Sequence, residues 1–241
     1  KQYNAVVTNS EALKTVADVM NAADGRVASS GVAKLAPVDP VWFEERRKGP
    51  WNVIPEGNTI PEAFLNQASH NWNMPVIADQ LSGVLTYRDI VIRIFILKSQ
   101  IEKMPGERIG IMLPASAGAS IVYLATMFAG KTPVMVNFTV GDRNIAHGMK
   151  TTGVQRILTS RAVIEKLKSE GRYPESVDEL VFPLENLNIS RTAKLIGLIR
   201  GRYFWRSLRK TKVTETAEIL FTSGSERFPK AVPLPHRNHL V

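Results

Sequence analysis

Between Arg108 and Pro183 the sequence alternates between short apolar runs and helix-period stretches, and that alternation leaves few folds open. "RIGIMLP" is a strand closed by Pro114. "ASAGASIVYLATMFAG" has helical spacing and ends on Gly130. "TPVMVNF" is a second strand, and "DRNIAHGMKTTG" a helix with Asp142 as its N-cap and Gly153 beyond its end. "QRILTS" is a third strand. "SRAVIEKLKSEG" is a helix capped by Ser160 and stopped by Gly171, and "ELVFP" is a fourth strand. Parallel strands need a crossover of a dozen or more residues, usually a helix, and each gap here supplies one. The predicted fold class is α/β, a mostly parallel βαβ sheet with flanking helices and right-handed crossovers. In such sheets ligands gather at the carboxyl ends of the strands.

Upstream, "NTIPEAFLNQASHN" predicts a helix capped by Thr59, with Pro61 in its first turn and Ala63, Phe64 and Ala68 on its apolar face. "PVIAD" and "VLTY", joined through Ser82 and Gly83, predict a hairpin. "TYRDIVIRIFILKSQIEKM" predicts a helix with Tyr87, Ile90, Ile94, Leu97 and Ile101 on one side. Before that the period is lost. "LKTVADVMNAA" fits one helix through Leu13, Val16, Val19 and Met20, and Pro37, Pro40, Pro50 and Pro55 then punctuate an extended loop. Residues 1–55 are therefore expected to be a leader or linker, and residues 56–241 the folded portion. Trp42, Trp51 and Trp72 read as core or hinge packing. The start on Lys1 and the stop at Val241, inside "HRNHLV", read as cuts in a longer protein.

The chain's 241 residues, 44% of them hydrophobic, suffice for a sizeable core. With no cysteine, disulfides, thiolate nucleophiles and cysteine-based zinc sites are excluded, and a cytoplasmic setting fits. No apolar run approaches the roughly 20 residues of a membrane span. The net charge of +9 favours anionic partners. From Arg191 to Lys212 it concentrates in Arg191, Lys194, Arg200, Arg202, Arg206, Arg209, Lys210 and Lys212, without one Asp or Glu. Leu195, Ile196, Leu198, Ile199, Tyr203, Phe204 and Trp205 lie among them. A solvated linker, a helix packed on the domain and a basic amphipathic stretch on an anionic membrane surface all fit this run. Nucleic acid is set aside as a partner, because no reader motif accompanies the charge.

"FTSGSERFPKAVPL", from Phe221 to Leu234, hangs a hydroxyl-and-glycine loop between two strand-like runs, "EIL" and "AVPL". A Walker loop needs a second Gly followed by Lys and Ser or Thr opening a helix, which this stretch lacks. The G-x-S-x-G string of a serine nucleophile elbow is absent as well. A plain surface hairpin, with Ser, Gly and Pro as turn residues, remains open on composition.

The order of these residues resembles the signature loop of the adenylate-forming, or AMP-binding, ligase superfamily, T-S-G-[ST]-T-G-x-P-K-G-V. Thr222, Ser223, Gly224, Ser225, Pro229, Lys230 and Val232 match, whereas Glu226, Arg227 and Ala231 depart from it. "FTSGSE" followed by "PK" is most similar to fatty acyl–acyl carrier protein synthetases and 2-acylglycerophosphoethanolamine acyltransferases. "SGVLTYRDI", "ERIGIMLPASAGASIVYLATMFAGKTPVMVNFT", "RILTSRAVIEKL" and "LENL" extend the likeness over residues 58–241. The resemblance implies the N-terminal part of an adenylate-forming domain, ending just after its phosphate loop. It implies ATP and Mg2+ as cofactors, held at Thr222, Ser223, Gly224, Ser225, Glu226, Arg227 and Lys230; Arg227, a departure from the family, either shapes the loop differently or adds a second cation for pyrophosphate. Hydroxyls and successive backbone N–H groups can wrap phosphates as a nest, and lysine adds a point charge. His236 and Asn238 fall where the family places the edge of an acyl or pantetheine channel, and His236 fits structural packing equally. His236 and His239 also share the i, i+3 spacing of a metal pair, without a third ligand in sight. No metal-ligand set is expected, and the catalytic residues are expected beyond Val241. The implied activity is AMP-forming activation of a fatty acid, with transfer to the thiol of acyl carrier protein or CoA, in the cytoplasm or peripherally on the inner face of the membrane. The alternative is a non-catalytic membrane- or partner-binding module that keeps the fold.

Overall fold

The computed structural model describes residues 55–222 and 228–240. The expected leader apart from Pro55, the helix expected around residues 13–20, and Trp42 and Trp51 lie outside the described residues. Helix α1 (Ile60–His70) starts where the sequence places it: the Thr59 hydroxyl accepts the Glu62 N–H, and proline occupies the first turn. Its buried face carries Ala63, Leu65 and Ala68, with Phe64 only partly covered, so Leu65 takes the core position expected for Phe64. Strands β1 (Pro75–Asp79) and β2 (Gly83–Thr86) pair antiparallel. Helix α2 (Tyr87–Ile101) then opens with a full capping box. Thr86 accepts from the Asp89 N–H, and the Asp89 carboxylate accepts the Thr86 N–H at 3.0 Å. Burial works to raise the Asp89 carboxyl, but the Thr86 hydrogen bonds more than offset it and hold the group below its ordinary range.

The main sheet has six strands: β3 (Arg108–Ile111), β4 (Thr132–Met135), β5 (Ile157–Thr159), β6 (Val181–Pro183), β7 (Thr216–Phe221) and β8 (Ala231–Pro235). Their order is β6-β5-β3-β4-β7-β8, and every pair is parallel except β7 with β8. Helix α3 (Ala117–Phe128) links β3 to β4, α4 (Asp142–Thr152) links β4 to β5, and α5 (Arg161–Ser169) follows β5. Ile109 and Ile111 pack against Ile101 of α2 and against Val122 and Ala125 of α3. Met112, Val134 and Val136 cluster with Ile145 and Met149 of α4 and Leu167 of α5. The central strands are thus covered on both faces, which is why they read as continuous apolar runs rather than as alternations.

Asp142 is not the N-cap of α4. Gly141, at φ 85°, takes that place, and no side chain caps the helix. Asp142 becomes the first helical residue, where its charge suits the helix N-terminus. Its carboxylate accepts the Ser176 N–H and hydroxyl, tying α4 to the 3-10 turn Glu175–Leu180. The basic run is a structured element: helix α6 (Arg191–Tyr203), capped by Ser190, then the 3-10 turn Trp205–Lys210. Trp72 packs on Trp205, with ring centroids 5.3 Å apart. Among the described residues no helix is long and apolar enough to cross a membrane.

Candidate functional site

Strand β7 enters the sheet beside β4 and leaves it at the carboxyl edge, the same edge on which β3, β4, β5 and β6 end. The chain returns through β8, in a register that runs from Glu218 opposite Leu234 to Phe221 opposite Ala231. One step further out, Thr222 and Lys230 close the hairpin twice. The Thr222 N–H donates to the Lys230 carbonyl at 3.1 Å, and the Lys230 N–H donates to the Thr222 hydroxyl at 3.0 Å. This clasp fixes both ends of the loop. Ser223, Gly224, Ser225, Glu226 and Arg227 lie outside the described residues. The Lys230 side chain is exposed, and its ammonium has no hydrogen-bond or ion-pair partner among the described residues. It is an exposed cation at the mouth of a loop whose sequence is rich in hydroxyls, a donor set that fits phosphate oxygens. Ala231, at a position where the resembling family carries glycine, pairs regularly with Phe221, and no described non-glycine residue has positive φ. Alanine is accommodated there.

Helix α4 supports the far side of the loop. The His147 ring stacks on Phe228 at 4.4 Å between centroids, and the Arg143 guanidinium lies 4.8 Å from the centre of the same ring. Gly148 lets Phe221 approach: a Cβ there would stand 3.0 Å from two of its ring carbons. None of these contacts was expected from sequence; Phe228, an aromatic residue inside a polar loop, was the one signal available for them.

His236 is buried at 4% exposure. Its Nδ1 accepts the Ile60 N–H at 3.2 Å and its Nε2–H donates to the Thr214 carbonyl at 2.9 Å. With both ring nitrogens engaged by backbone, the ring fastens β8 to α1 and to the segment before β7. Burial lowers its pKa, the Thr214 hydrogen bond working the other way. Asn238 is exposed on the short helix α7 (Arg237–Leu240). His239 meets Glu218, Nε2 to Oε1 3.3 Å. Burial raises the Glu218 carboxyl, with the His239 ring and the Tyr123 hydroxyl drawing it back. Burial and this carboxylate together push the Tyr123 phenol up. Among the described residues no group of three or more His, Asp or Glu could hold a metal ion. Lys131 is spent on structure at the opposite edge of the sheet, donating to the Met104 and Gly106 carbonyls. A cavity of about 680 Å³ opens at that same amino-terminal edge, beside Arg108, Thr132 and Thr214, away from the loop.

The sequence profile of the AMP-binding enzyme family matches residues 64–241, most of the chain, including β7, the loop and β8. The chain belongs to the AMP-binding enzyme family. Nonribosomal peptide synthetase 30 of Fusarium vanettenii is 26% identical over 193 residues, which cover 76% of this chain and 3% of that protein. The crystal structure of VinN superposes with a TM-score of 0.56 at 16% identity, over 78% of this chain and 48% of VinN. A fatty acyl-adenylate ligase from L. pneumophila, solved with acyl adenylate and pyrophosphate, superposes with a TM-score of 0.54 at 17% identity, over 76% of this chain and 31% of that one. The chain thus spans less than half the length of each of these relatives. The α/β fold with its mostly parallel, helix-flanked sheet is the fold of the N-terminal subdomain of adenylate-forming ligases.

Proposed function

We propose that this AMP-binding chain is the N-terminal portion, over residues 56–241, of an ATP-dependent acid–thiol ligase that activates a fatty acid. The carboxylate of the acid attacks the α-phosphorus of ATP, forming an acyl-phosphate bond and expelling pyrophosphate. A phosphopantetheine thiol then displaces AMP, with acyl carrier protein favoured over CoA as its bearer. The observation that carries the reading is the Thr222–Lys230 clasp, which presents at the carboxyl edge of the sheet an ammonium with no partner among the described residues. In this reading Thr222, Ser223, Gly224, Ser225, Glu226, Arg227 and Lys230 orient the departing pyrophosphate, and Mg2+ offsets its charge. The fatty-acid assignment is supported by the form of the loop, "FTSGSE" followed by "PK", and by the fold shared with the fatty acyl-adenylate ligase. The setting is the cytoplasm, with peripheral attachment on the inner face of the membrane. A non-catalytic module on the same fold is the second reading. It is favoured by Arg227, a residue for which φ > 0 is costly, where the family carries glycine.

The test is fatty-acid-dependent pyrophosphate release by the full-length protein, measured against ATP concentration. A charge-assisted hydrogen bond to phosphate contributes about 1.5–3 kcal/mol. Lys230→Ala should therefore weaken ATP use roughly ten- to a hundredfold while leaving fatty-acid binding in place. Unchanged ATP dependence makes Lys230 an ordinary surface lysine and ends the phosphate-loop reading. Absence of pyrophosphate release with every fatty acid tried favours the non-catalytic module.

A further inference from the structure

Helix α6 is packed inside out. Ala193, Gly197 and Gly201 recur every fourth residue, and the two glycines are buried against α2. A Cβ on Gly197 would stand 2.4 Å from Ile96 Cγ1, and one on Gly201 would stand 2.6 Å from Ile92 Cγ1 and 2.9 Å from the Ile92 Cα. Glycine alone permits this approach, so the small residues take the inner face and the large apolar ones are left on the outer arc. Leu195, Ile196, Leu198 and Ile199 are exposed, and Tyr203 and Phe204 at the end of the helix reach 72% and 61%. A surface helix ordinarily puts polar residues there.

We propose that α6 and the turn after it form a docking face for an anionic lipid surface. This deepens the peripheral attachment proposed above and is independent of the ligase chemistry. All eight cations from Arg191 to Lys212 are exposed, no carboxylate lies among them, and none makes an ion pair with a described residue. That charge selects the occupant. A second copy of the chain would set one cationic face against another, and like charges brought together at an interface oppose association. An anionic surface is complementary. Long Lys and Arg side chains can reach headgroups while the aliphatic arc between them enters the acyl boundary, and the aromatic residues sit at the level between the two. The face is held rather than trailing. Trp205 packs tilted against Trp72, Arg206 and Arg209 lie over the Trp205 ring at 5.5 and 6.0 Å, and Leu208 is buried. Ile196, Ile199 and Phe204 also line a cleft of about 600 Å³ against Phe95 of α2, which extends the apolar surface inward.

The experiment is co-sedimentation of the full-length protein with vesicles of phosphatidylcholine alone and of phosphatidylcholine mixed with phosphatidylglycerol. Binding is expected to be much stronger to the mixed vesicles, to weaken with salt, and to keep a salt-resistant part from the apolar arc. Each cation near an anionic surface contributes about 1 kcal/mol, close to fivefold. Reversing two, Arg191→Glu with Arg202→Glu, is therefore expected to weaken binding at least tenfold. Leu195→Ser with Leu198→Ser, two exposed residues outside the cleft against α2, should remove the salt-resistant part, with the unfolding midpoint unchanged. Equal binding to neutral and mixed vesicles, or unchanged binding in both variants, overturns the proposal. So does concentration-dependent dimerisation that needs Leu195 and Leu198 without any vesicle binding. Pyrophosphate release read in parallel, without vesicles, reports on the ligase reading alone.

Discussion

Burial holds the His236 ring neutral, and its hydrogen bonds require that form: a proton added to Nδ1 would face the Ile60 N–H, which is itself a donor. The folded-state pKa therefore lies below the ordinary value of 6.5. Above that value the ring is neutral in both states and stability does not depend on it. As pH falls through 6.5 the unfolded chain takes up the proton first, and stability declines until the folded ring is protonated too. Glu218 works in the opposite sense, because its raised pKa lets the folded state bind a proton earlier. Urea unfolding of the wild type and of His236→Gln across this range separates the two. The difference in stability between them should shrink as the solution is acidified from neutrality, and a difference that stays constant makes the ring indifferent to its charge. His236 was legible as a residue that packs or lines a channel, and Lys230 as a cation of the loop. The partners of His236 were not, because Ile60 lies 176 positions away. Nor was the Tyr123–Glu218–His239 group, since pairing across a fold leaves no local spacing to read.

Helix ends were the most legible elements. Thr59, Ser160 and Gly153 stand where the sequence places them, each satisfying an end group of its helix within a few residues. The sequence points to Asp142 as the cap of α4, but Gly141 takes that place, its positive φ turning the chain into the helix without strain. The capping box of α2 gives a direct check. Thr86→Ala removes the acceptor for the Asp89 N–H and one donor to its carboxylate, and should lower stability by about 1 kcal/mol. Thermal unfolding measures this, with Thr86→Ser expected to keep most of it. An unchanged midpoint in the alanine variant would mean that packing alone starts the helix. The outward arc of α6 was visible as composition but not as geometry. Only the approach of Gly197 and Gly201 to α2 decides which residues face out.

At the level of the whole molecule, alternating periods announced a parallel sheet, but strand order had to come from the structure. A βαβ pattern does not say to which side of β3 each crossover returns. Proline did not mark the edges by itself: Pro183 in β6 and Pro233 and Pro235 in β8 fit edge strands, but Pro133 lies in the central strand β4. This order predicts the pattern of local opening. Amides of β3 and β4, buried on both faces, should exchange slowest by native-state hydrogen exchange, and those of β8 much faster. Equal protection across all six strands would argue against the edge position of β8. The His236 latch also has a consequence in time. On a ribosome adding about 5–20 residues per second, roughly ten to thirty-five seconds pass between the making of Ile60 and of His236. Throughout that interval the leading turn of α1 lacks the ring that accepts its N–H. The segment just after β8 thus fastens the first described helix, so a chain stalled before His236 leaves that helix unlatched.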